Sequence, residues 1–407
     1  MSPGSLWQNG YAERLTGTLR REYLDRLVIF GEVHLRRVRS TYVAYYNQTR
    51  THLALQKDAP LQRAVRRCDA IVAIPILAGC ITNTPGYDFG KDSPVNDMEV
   101  LKETDFNFLG PKKAGKVRDI YDRGDKLILI TTDRHSSFDR IIAHVPWKGQ
   151  VLNQVSDWWF DKTRDIIGNH VLATPDPNVT VAKKFRTVPV EGVMRGYLTG
   201  VTDTSIWTRY SAGKRDFGGL VLPDGMKKNQ RLPSPIFDPT TKEDTHDRAS
   251  TPSEMIAEGF ITAELFERLR ETASAIFARG QEVAVRQGLI LVDTKYEFGM
   301  DENDELVLID EIHTPDSSRF WQLASYQERF KKGEEPQYFD KEFLRLWFKE
   351  YCDPYKDEKL PDAPVELVEE LSRRYIQMYE QITGEKFVCG ERPIGQRIER
   401  NLKRYAF

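Results

Sequence analysis

Residues 292–321 read VDTKYEFGMDENDELVLIDEIHTPDSSRFW. Two alternating runs flank Gly299 and the polar cluster MDENDE, a pattern that predicts a β-hairpin over 289–298 and 305–312. Alternate residues of a strand share a face. Asp293, Lys295 and Glu297 therefore point one way, and Val292, Thr294, Tyr296 and Phe298 the other. On the return strand Leu306, Leu308 and Asp310 share a face opposite to Val307, Ile309 and Glu311. A register that sets Glu297 and Asp310 on one side brings two carboxylates beside one ammonium, and sequence does not fix that register. Such a pair suits Mg²⁺, which takes one or two carboxylates plus phosphate oxygens. Lys295 beside it would neutralise a phosphate or a developing negative charge. The same alternation also describes a solvated hairpin face with cross-strand ion pairs, each worth about 0.2–1 kcal/mol.

Outward from the hairpin, the periodicity predicts a long amphipathic helix over 262–287, carrying Leu265, Leu269, Ala273, Ile276 and Val283. Gly280 weakens it without ending it. A second helix is predicted over 365–383, with Pro364 in its opening turn and Gly384 at its end. Upstream, GKVRDIYD and KLILITTD flank Arg123-Gly124, a hairpin signal; residues 150–167 read as a helix and 186–199 as a buried strand or strand pair. The result is an α+β body with antiparallel hairpins rather than βαβ alternation. TNTPGYDFGKDSPVND, residues 82–97, has linker composition, which places a domain boundary just before Met98. Ahead of it, residues 11–28 and 32–47 read as helices.

Charge supports that boundary. The 407 residues carry a formal net charge of -2, but residues 1–67 hold 12 Lys and Arg against 5 Asp and Glu, and the rest hold 47 against 56. With 40% hydrophobic and 29% charged residues the chain reads as soluble and globular. Cys68, Cys80, Cys352 and Cys389 form no CxxC pair, and the seven histidines include no HExxH. No signal peptide is legible. The apolar run at 70–81, broken by Pro75, falls short of the roughly 20 residues needed to span a bilayer. These features predict a cytoplasmic protein with no membrane partner.

Four further stretches carry chemistry. Gly115-Lys116-Val117-Arg118 opens a strand with a residue type that lets backbone approach phosphate, although one glycine before a basic strand is also an ordinary turn. Arg195, between an apolar run and Gly196, offers a bidentate contact to phosphate or carboxylate, or an ion pair. LPSPIFDPTTKEDTHDR, residues 232–248, mixes prolines and hydroxyls with Lys242, His246 and Asp247, as a ligand-covering loop or a linker would. In TPDSSRFW, Asp316, Ser318 and Arg319 supply hydroxyl-binding and phosphate-binding groups, or begin a helix. No GxxxxGK[ST] is present, which excludes a Walker-type site.

Taken in order, GKVRDIYD, TTDRHSSFD, KGQVLNQVSDWWF, VPVEGVMRGYLTG, PIFDPTTKEDTHD, DTKYEFG and VLIDEIHTPDSSRFW resemble the SAICAR synthetase family from Met98 to about Gly384. The resemblance implies a two-lobed α+β fold. An antiparallel-sheet lobe over 98–185 and a larger α+β lobe over 186–407 would enclose an ATP cleft. It implies ligation of L-aspartate to a carboxylated aminoimidazole ribotide with ATP and Mg²⁺, through an acyl phosphate, in purine biosynthesis. It assigns Glu297 and Asp310 to the metal, and Lys295, Lys242 and Asp247 to catalysis. Gly115, Lys116, Val117, Arg118 and Lys183 are assigned to ATP. Glu191, Arg195, Gly200, Ser205, His246, Asp316, Ser318 and Arg319 are assigned to the other substrates. The wording departs from the family at His135, Ser137, Val201 and Asp238; serine is frequent in place of Val201 and threonine in place of Asp238. A ribotide contact is therefore expected either to be missing or to move to Thr202 or Ser205.

Residues 2–65 resemble the C-terminal end of insertion-sequence transposases of the integrase type, which assigns 1–67 to that fragment and 68–97 to a linker. Glu13 matches the third metal-binding carboxylate of that family. Two-metal phosphodiester chemistry needs the two partner aspartates as well, so no strand transfer is expected. Phosphate contacts to DNA through the basic segment stay open. Two competing functions therefore remain: a DNA-binding or transposition-related protein, and a kinase that uses the same ATP site.

Overall fold

The computed structural model describes residues 99–405 apart from 139, 203, 219, 242–247, 250–251 and 339–341. These lie in the second of the chain's two units, Asp92–Phe407. The helices expected at 11–28 and 32–47, the 1–67 fragment and the 68–97 linker fall outside the described residues, as do Lys242, His246 and Asp247. Among the described residues no helix is long and apolar enough to cross a membrane.

The Arg123-Gly124 signal forms the expected hairpin. Arg118–Asp122 pairs antiparallel with Lys126–Thr131, Gly124 takes φ +87°, and its amide donates to Asp122 Oδ1 at 3.0 Å. Three more strands complete an antiparallel sheet in the order Lys112–Ala114, Arg118–Asp122, Lys126–Thr131, Val179–Lys183, Val171–Asp176. Alternation gives the sheet two apolar faces. Tyr121, Ile128, Ile130, Val179 and Val181 pack against Leu101, Leu109 and the helix Ile394–Arg404. Ile120, Leu127 and Leu129 face the other way, into a cavity. The last helix thus packs on the first sheet, although its place in the sequence grouped it with the larger lobe. Its Ile394, Ile398 and Leu402 recur at four-residue spacing and find their apolar partner there.

The second sheet is built on two long strands, Arg186–Leu198 and Leu289–Met300, which pair antiparallel along their length. Residues 186–199 are therefore one strand rather than a pair. Leu306–Ile309 and Ser318–Gln322 also pair with Leu289–Met300, and Gln230–Phe237 pairs with Arg186–Leu198. Two short links stitch the sheets together. Gly168–Asn169 pairs parallel with Leu306–Ile309 before Val171–Asp176 enters the first sheet, and Lys184-Phe185 joins Val179–Lys183 to Arg186–Leu198.

Three predicted helices appear with small shifts in their ends: Lys148–Lys162, Ala263–Arg286 and Val365–Thr383. Thr262 caps the second by accepting from the Leu265 amide, and Gly384 closes the third with φ +75°. Gly280 has a packing reason. A Cβ there would lie 2.3 Å from His313 Cε1 and 2.7 Å from Leu291 Cδ2. His313 is wedged between this helix and Trp159, its Nε2 is 2.5 Å from Tyr296 Oη, and burial pushes its pKa down to about 3, so it stays neutral. Gly280→Ala is therefore expected to lower stability by about 1–3 kcal/mol through overpacking. The ~1 kcal/mol gain in helix propensity does not rescue it. Denaturant titration of the variant reads the sign directly.

Candidate active site

Between the two sheets lies a cavity of about 640 Å³, within the size range of small-molecule sites. Ile120, Leu127 and Leu129 of the first sheet, Phe185 of the link and Ile309 of the second sheet give it apolar walls. Lys112, Lys113, Arg118, Lys183, Glu297 and Asp310 give it charge. Lys112 and Lys113 were not singled out from sequence. Gly115, Lys116 and Val117 form the turn between two strands that supply lining residues, and the Gly115 amide donates to the Arg118 carbonyl at 2.7 Å.

The hairpin places the acids differently from a regular ribbon. Glu297 lies opposite Ile309, not Asp310. The return strand ends at Ile309, and Asp310 takes φ +71°, a left-handed turn that re-aims its side chain. Asp310 and Glu297 thereby line the same cavity, and Glu311 leaves the strand with Asp310. The expected convergence holds, but a backbone turn produces it rather than strand alternation.

On the Leu289–Met300 strand, Asp293, Lys295 and Glu297 share a face, as the alternation predicted. Glu191 stands directly opposite Glu297 on the neighbouring strand. Like charges in such a position repel. Lys295 Nζ lies between them, 3.1 Å from Glu191 Oε1 and 3.4 Å from Glu297 Oε1. Arg118 binds Asp310 through Nη1 and reaches Glu311 Oε1 at 3.1 Å through Nη2. Burial would lower the pKa of Lys295, but Asp310, Glu191, Glu297 and Glu311 outweigh it and hold the ammonium above the ordinary lysine range. Arg118 is held protonated in the same way, against burial, by Asp310 and Glu311. Burial raises the pKa of Glu311. His170 also lines the cavity, and burial pushes its pKa down to about 4, which leaves a neutral imidazole.

A second charged row crosses three strands. Arg195 and Arg319 are the register partners of Asp293 on either side, and Arg319 Nε donates to Asp293 Oδ1 at 3.1 Å. Arg195 Nε donates to Asp238 Oδ2 at 2.6 Å, and Arg209 brings both Nη groups to the same carboxylate. Gly200 has φ +106°, and a Cβ there would lie 2.4 Å from Ser205 Cβ and 3.4 Å from Arg319 Nη1.

Three residues assigned to substrates also have internal partners. Both oxygens of Asp316 are engaged, by the buried Lys148 ammonium at 2.6 Å and by Tyr375 Oη at 2.5 Å. Ser318 Oγ donates to Thr294 Oγ1 at 2.8 Å across the sheet. Ser205 caps the helix Ile206–Ser211, its Oγ 2.8 Å from Thr208 Oγ1. The structure also brings in residues the sequence did not flag. Arg134 donates to the Gly115, Lys116 and Lys102 carbonyls and pairs with Asp119 at 2.8 Å, which braces the 115–118 turn from below. Lys148 Nζ donates to the Arg134 carbonyl at 3.0 Å, so one chain of contacts runs from that turn to Asp316.

For Mg²⁺ the donor chemistry fits. Glu297 and Asp310 are hard oxygen donors on one cavity wall, and the lysines around it suit the anionic oxygens that complete an Mg²⁺ shell.

Residues 112–361 match the SAICAR synthetase family. The chain belongs to the SAICAR synthetase family. It is similar to the phosphoribosylaminoimidazole-succinocarboxamide synthase of Legionella pneumophila (strain Paris), with 56% identity over 307 residues, 75% of this chain and 98% of that protein. The chloroplastic synthase of Arabidopsis thaliana is 56% identical over 289 residues, 70% of each chain. Among solved structures, the SAICAR synthase of Saccharomyces cerevisiae complexed with SAICAR aligns with a TM-score of 0.62 and 31% identity, covering 71% of this chain and all of that one. A type-2 SAICAR synthetase in complex with ADP aligns with a TM-score of 0.53 and 25% identity, over 69% of this chain and all of that one. Family membership makes this chain an ADP-forming carbon–nitrogen ligase of purine biosynthesis. Residues 1–60 match the integrase core domain family.

Proposed function

We propose that the cavity between the sheets takes ATP with Mg²⁺ and that the chain uses them to join L-aspartate to a carboxylated aminoimidazole ribotide. The observation that carries this reading is the convergence of Glu297, Asp310 and Arg118 on a cavity that also has apolar surface from Ile120, Leu127, Leu129, Phe185 and Ile309, with Lys295 3.4 Å from Glu297. Apolar walls suit a nucleobase and the charged wall suits a polyphosphate. Glu297 and Asp310 would hold the metal, which when bound supplies Lewis-acid neutralisation of phosphate charge.

A carboxylate is a poor electrophile. In the proposed path its oxygen attacks the γ-phosphorus and ADP leaves. The aspartate amine then attacks the acyl carbon, the C–O bond breaks, phosphate departs and the amine loses a proton. Lys295, kept protonated by its four acidic neighbours, cannot take that proton at neutral pH. Its role is a fixed positive charge for the phosphoryl oxygens. Lys183, at the end of the Val179–Lys183 strand, is proposed to meet the nucleotide, and Arg195 and Arg319 to clamp the ribotide's anionic groups. Lys242, His246 and Asp247 are proposed to cover the substrates. Asp316, Ser318 and Ser205 are proposed to act indirectly, by holding the 314–319 run and the Gly200 turn in place. A cytoplasmic setting suits these soluble substrates.

The integrase-like segment is proposed to be carried along without a share in the chemistry. ADP release that requires both L-aspartate and the imidazole ribotide, and that is unchanged on removal of residues 1–97, is the expected result. Release driven by a hydroxyl acceptor would assign the chain to the kinases. Salt-sensitive DNA binding lost with that segment would give the segment a function of its own.

A further inference from the structure

Asp238 stands at a position where the family wording frequently has threonine, and the structure gives it a definite occupation. It follows directly on the strand Gln230–Phe237, and its amide donates to the Val193 carbonyl at 2.8 Å, so its backbone is fixed beside the Arg186–Leu198 strand. Its carboxylate is mostly buried and receives three guanidinium donors. Arg195 gives Nε to Oδ2, and Arg209 gives Nη1 to Oδ1 and Nη2 to Oδ2. Burial would raise the carboxyl's pKa, but Arg195 and Arg209 hold it below the usual carboxylate range. The two guanidinium groups are themselves largely buried, with 9% and 15% of their side chains exposed. Two such cations cannot stay together in that setting without an anion between them.

The edge by which Asp238 holds Arg195 matters. A guanidinium has two faces for paired recognition, the Nε/Nη side and the Nη1/Nη2 end. Asp238 takes Nε and leaves the end. Arg195 lies in the row Arg195–Asp293–Arg319, on the same strand faces as Lys295. The chain also runs from Asp238 straight into residues 239–247.

We propose that Asp238, supported by Arg209, is a positioning residue that fixes Arg195 with its Nη1/Nη2 end toward the ribotide. The proposal rests on the ligase reading of the site and adds to it a residue that sets affinity for one substrate without touching the phosphoryl-transfer groups. An alternative occupation, in which Asp238 competes with the ribotide's own anion for the two arginines, predicts the opposite sign and makes the test decisive.

The experiment measures steady-state kinetics and direct ribotide binding by calorimetry for the full-length wild type, Asp238→Asn, Asp238→Glu and Arg209→Met. Asn keeps the shape and loses the charge. It is expected to raise the ribotide KM and Kd by about tenfold, the scale of a lost charge-assisted contact, with kcat and the ATP KM within about twofold. Glu, which keeps the charge, is expected to recover part of the loss. Arg209→Met removes the supporting donors while leaving Asp238 and Arg195 in place, and is expected to weaken ribotide binding by a smaller factor. An unfolded Asn variant would shift the decision to the Glu and Arg209 variants. Unchanged ribotide KM and Kd in the folded variants would overturn the proposal, as would a fall in either. Wild-type protein that turns over ATP but never binds the ribotide would instead remove the ligase reading, and this proposal with it.

Discussion

Lys295→Met is expected to lower kcat by about 10²–10³-fold, the range for loss of one preorganised charge at a reacting group. The lysine is the cation between Glu191 and Glu297, and Asp310 and Glu311 also act on its charge. Its removal leaves the four carboxylates without that cation, two of them, Glu297 and Asp310, on the cavity wall, and Arg118 is already committed to Asp310 and Glu311. The effect should fall on turnover more than on the KM for ATP, because the charge it stabilises develops during transfer. Lys295→Arg is expected to recover little, since a planar fork cannot replace a point charge between two acids. Single-turnover formation of ADP measures the loss. A kcat within a few-fold of wild type would reduce Lys295 to a structural ion pair.

The second large effect belongs to the two acids on the cavity wall. Asp310→Asn and Glu297→Gln are each expected to cost about 10²-fold or more in turnover, since a misplaced metal forfeits several kcal/mol of charge stabilisation. Each is also expected to raise the Mg²⁺ concentration for half-maximal activity by about tenfold or more. The two should differ in one respect. Asp310 is bound by Arg118 Nη1, so its neutralisation weakens one of the two carboxylate partners of that cavity-lining guanidinium, whereas Glu297 is held by Lys295. Asp310→Asn is therefore expected to alter nucleotide affinity as well as metal dependence. Glu305→Gln, in the exposed turn of the same hairpin and paired with Arg268, serves as a control and is expected to change neither. Mg²⁺ titrations of ATP turnover check all three.

The hairpin shows how far sequence carries such a site and where it stops. The alternation of Asp293, Lys295 and Glu297 was readable because a strand has a strict period of two. The position of Asp310 was not, because one left-handed residue ends the strand and no periodicity encodes it. Gly280 read as a weak point of its helix, and the ring of His313 packed on it comes from a segment that sequence cannot bring near. Arg134 and Lys148 were not singled out from sequence. Their partners lie 15 and 168 residues away, at Asp119 and Asp316, and only the fold makes them braces of the site. The order of motifs named the family. The division of labour between Arg195, Arg209 and Asp238 needed coordinates, since Arg209 sits on a short helix with no motif of its own.

A crystal structure of the chain with ADP and Mg²⁺ tests the central claim most directly. The account predicts the adenine between Leu129 and Ile309, and one ion held by oxygens of Glu297 and Asp310 at about 2.1 Å together with phosphate oxygens. An ion bound away from both carboxylates, or a nucleotide outside the cavity between the sheets, would contradict it.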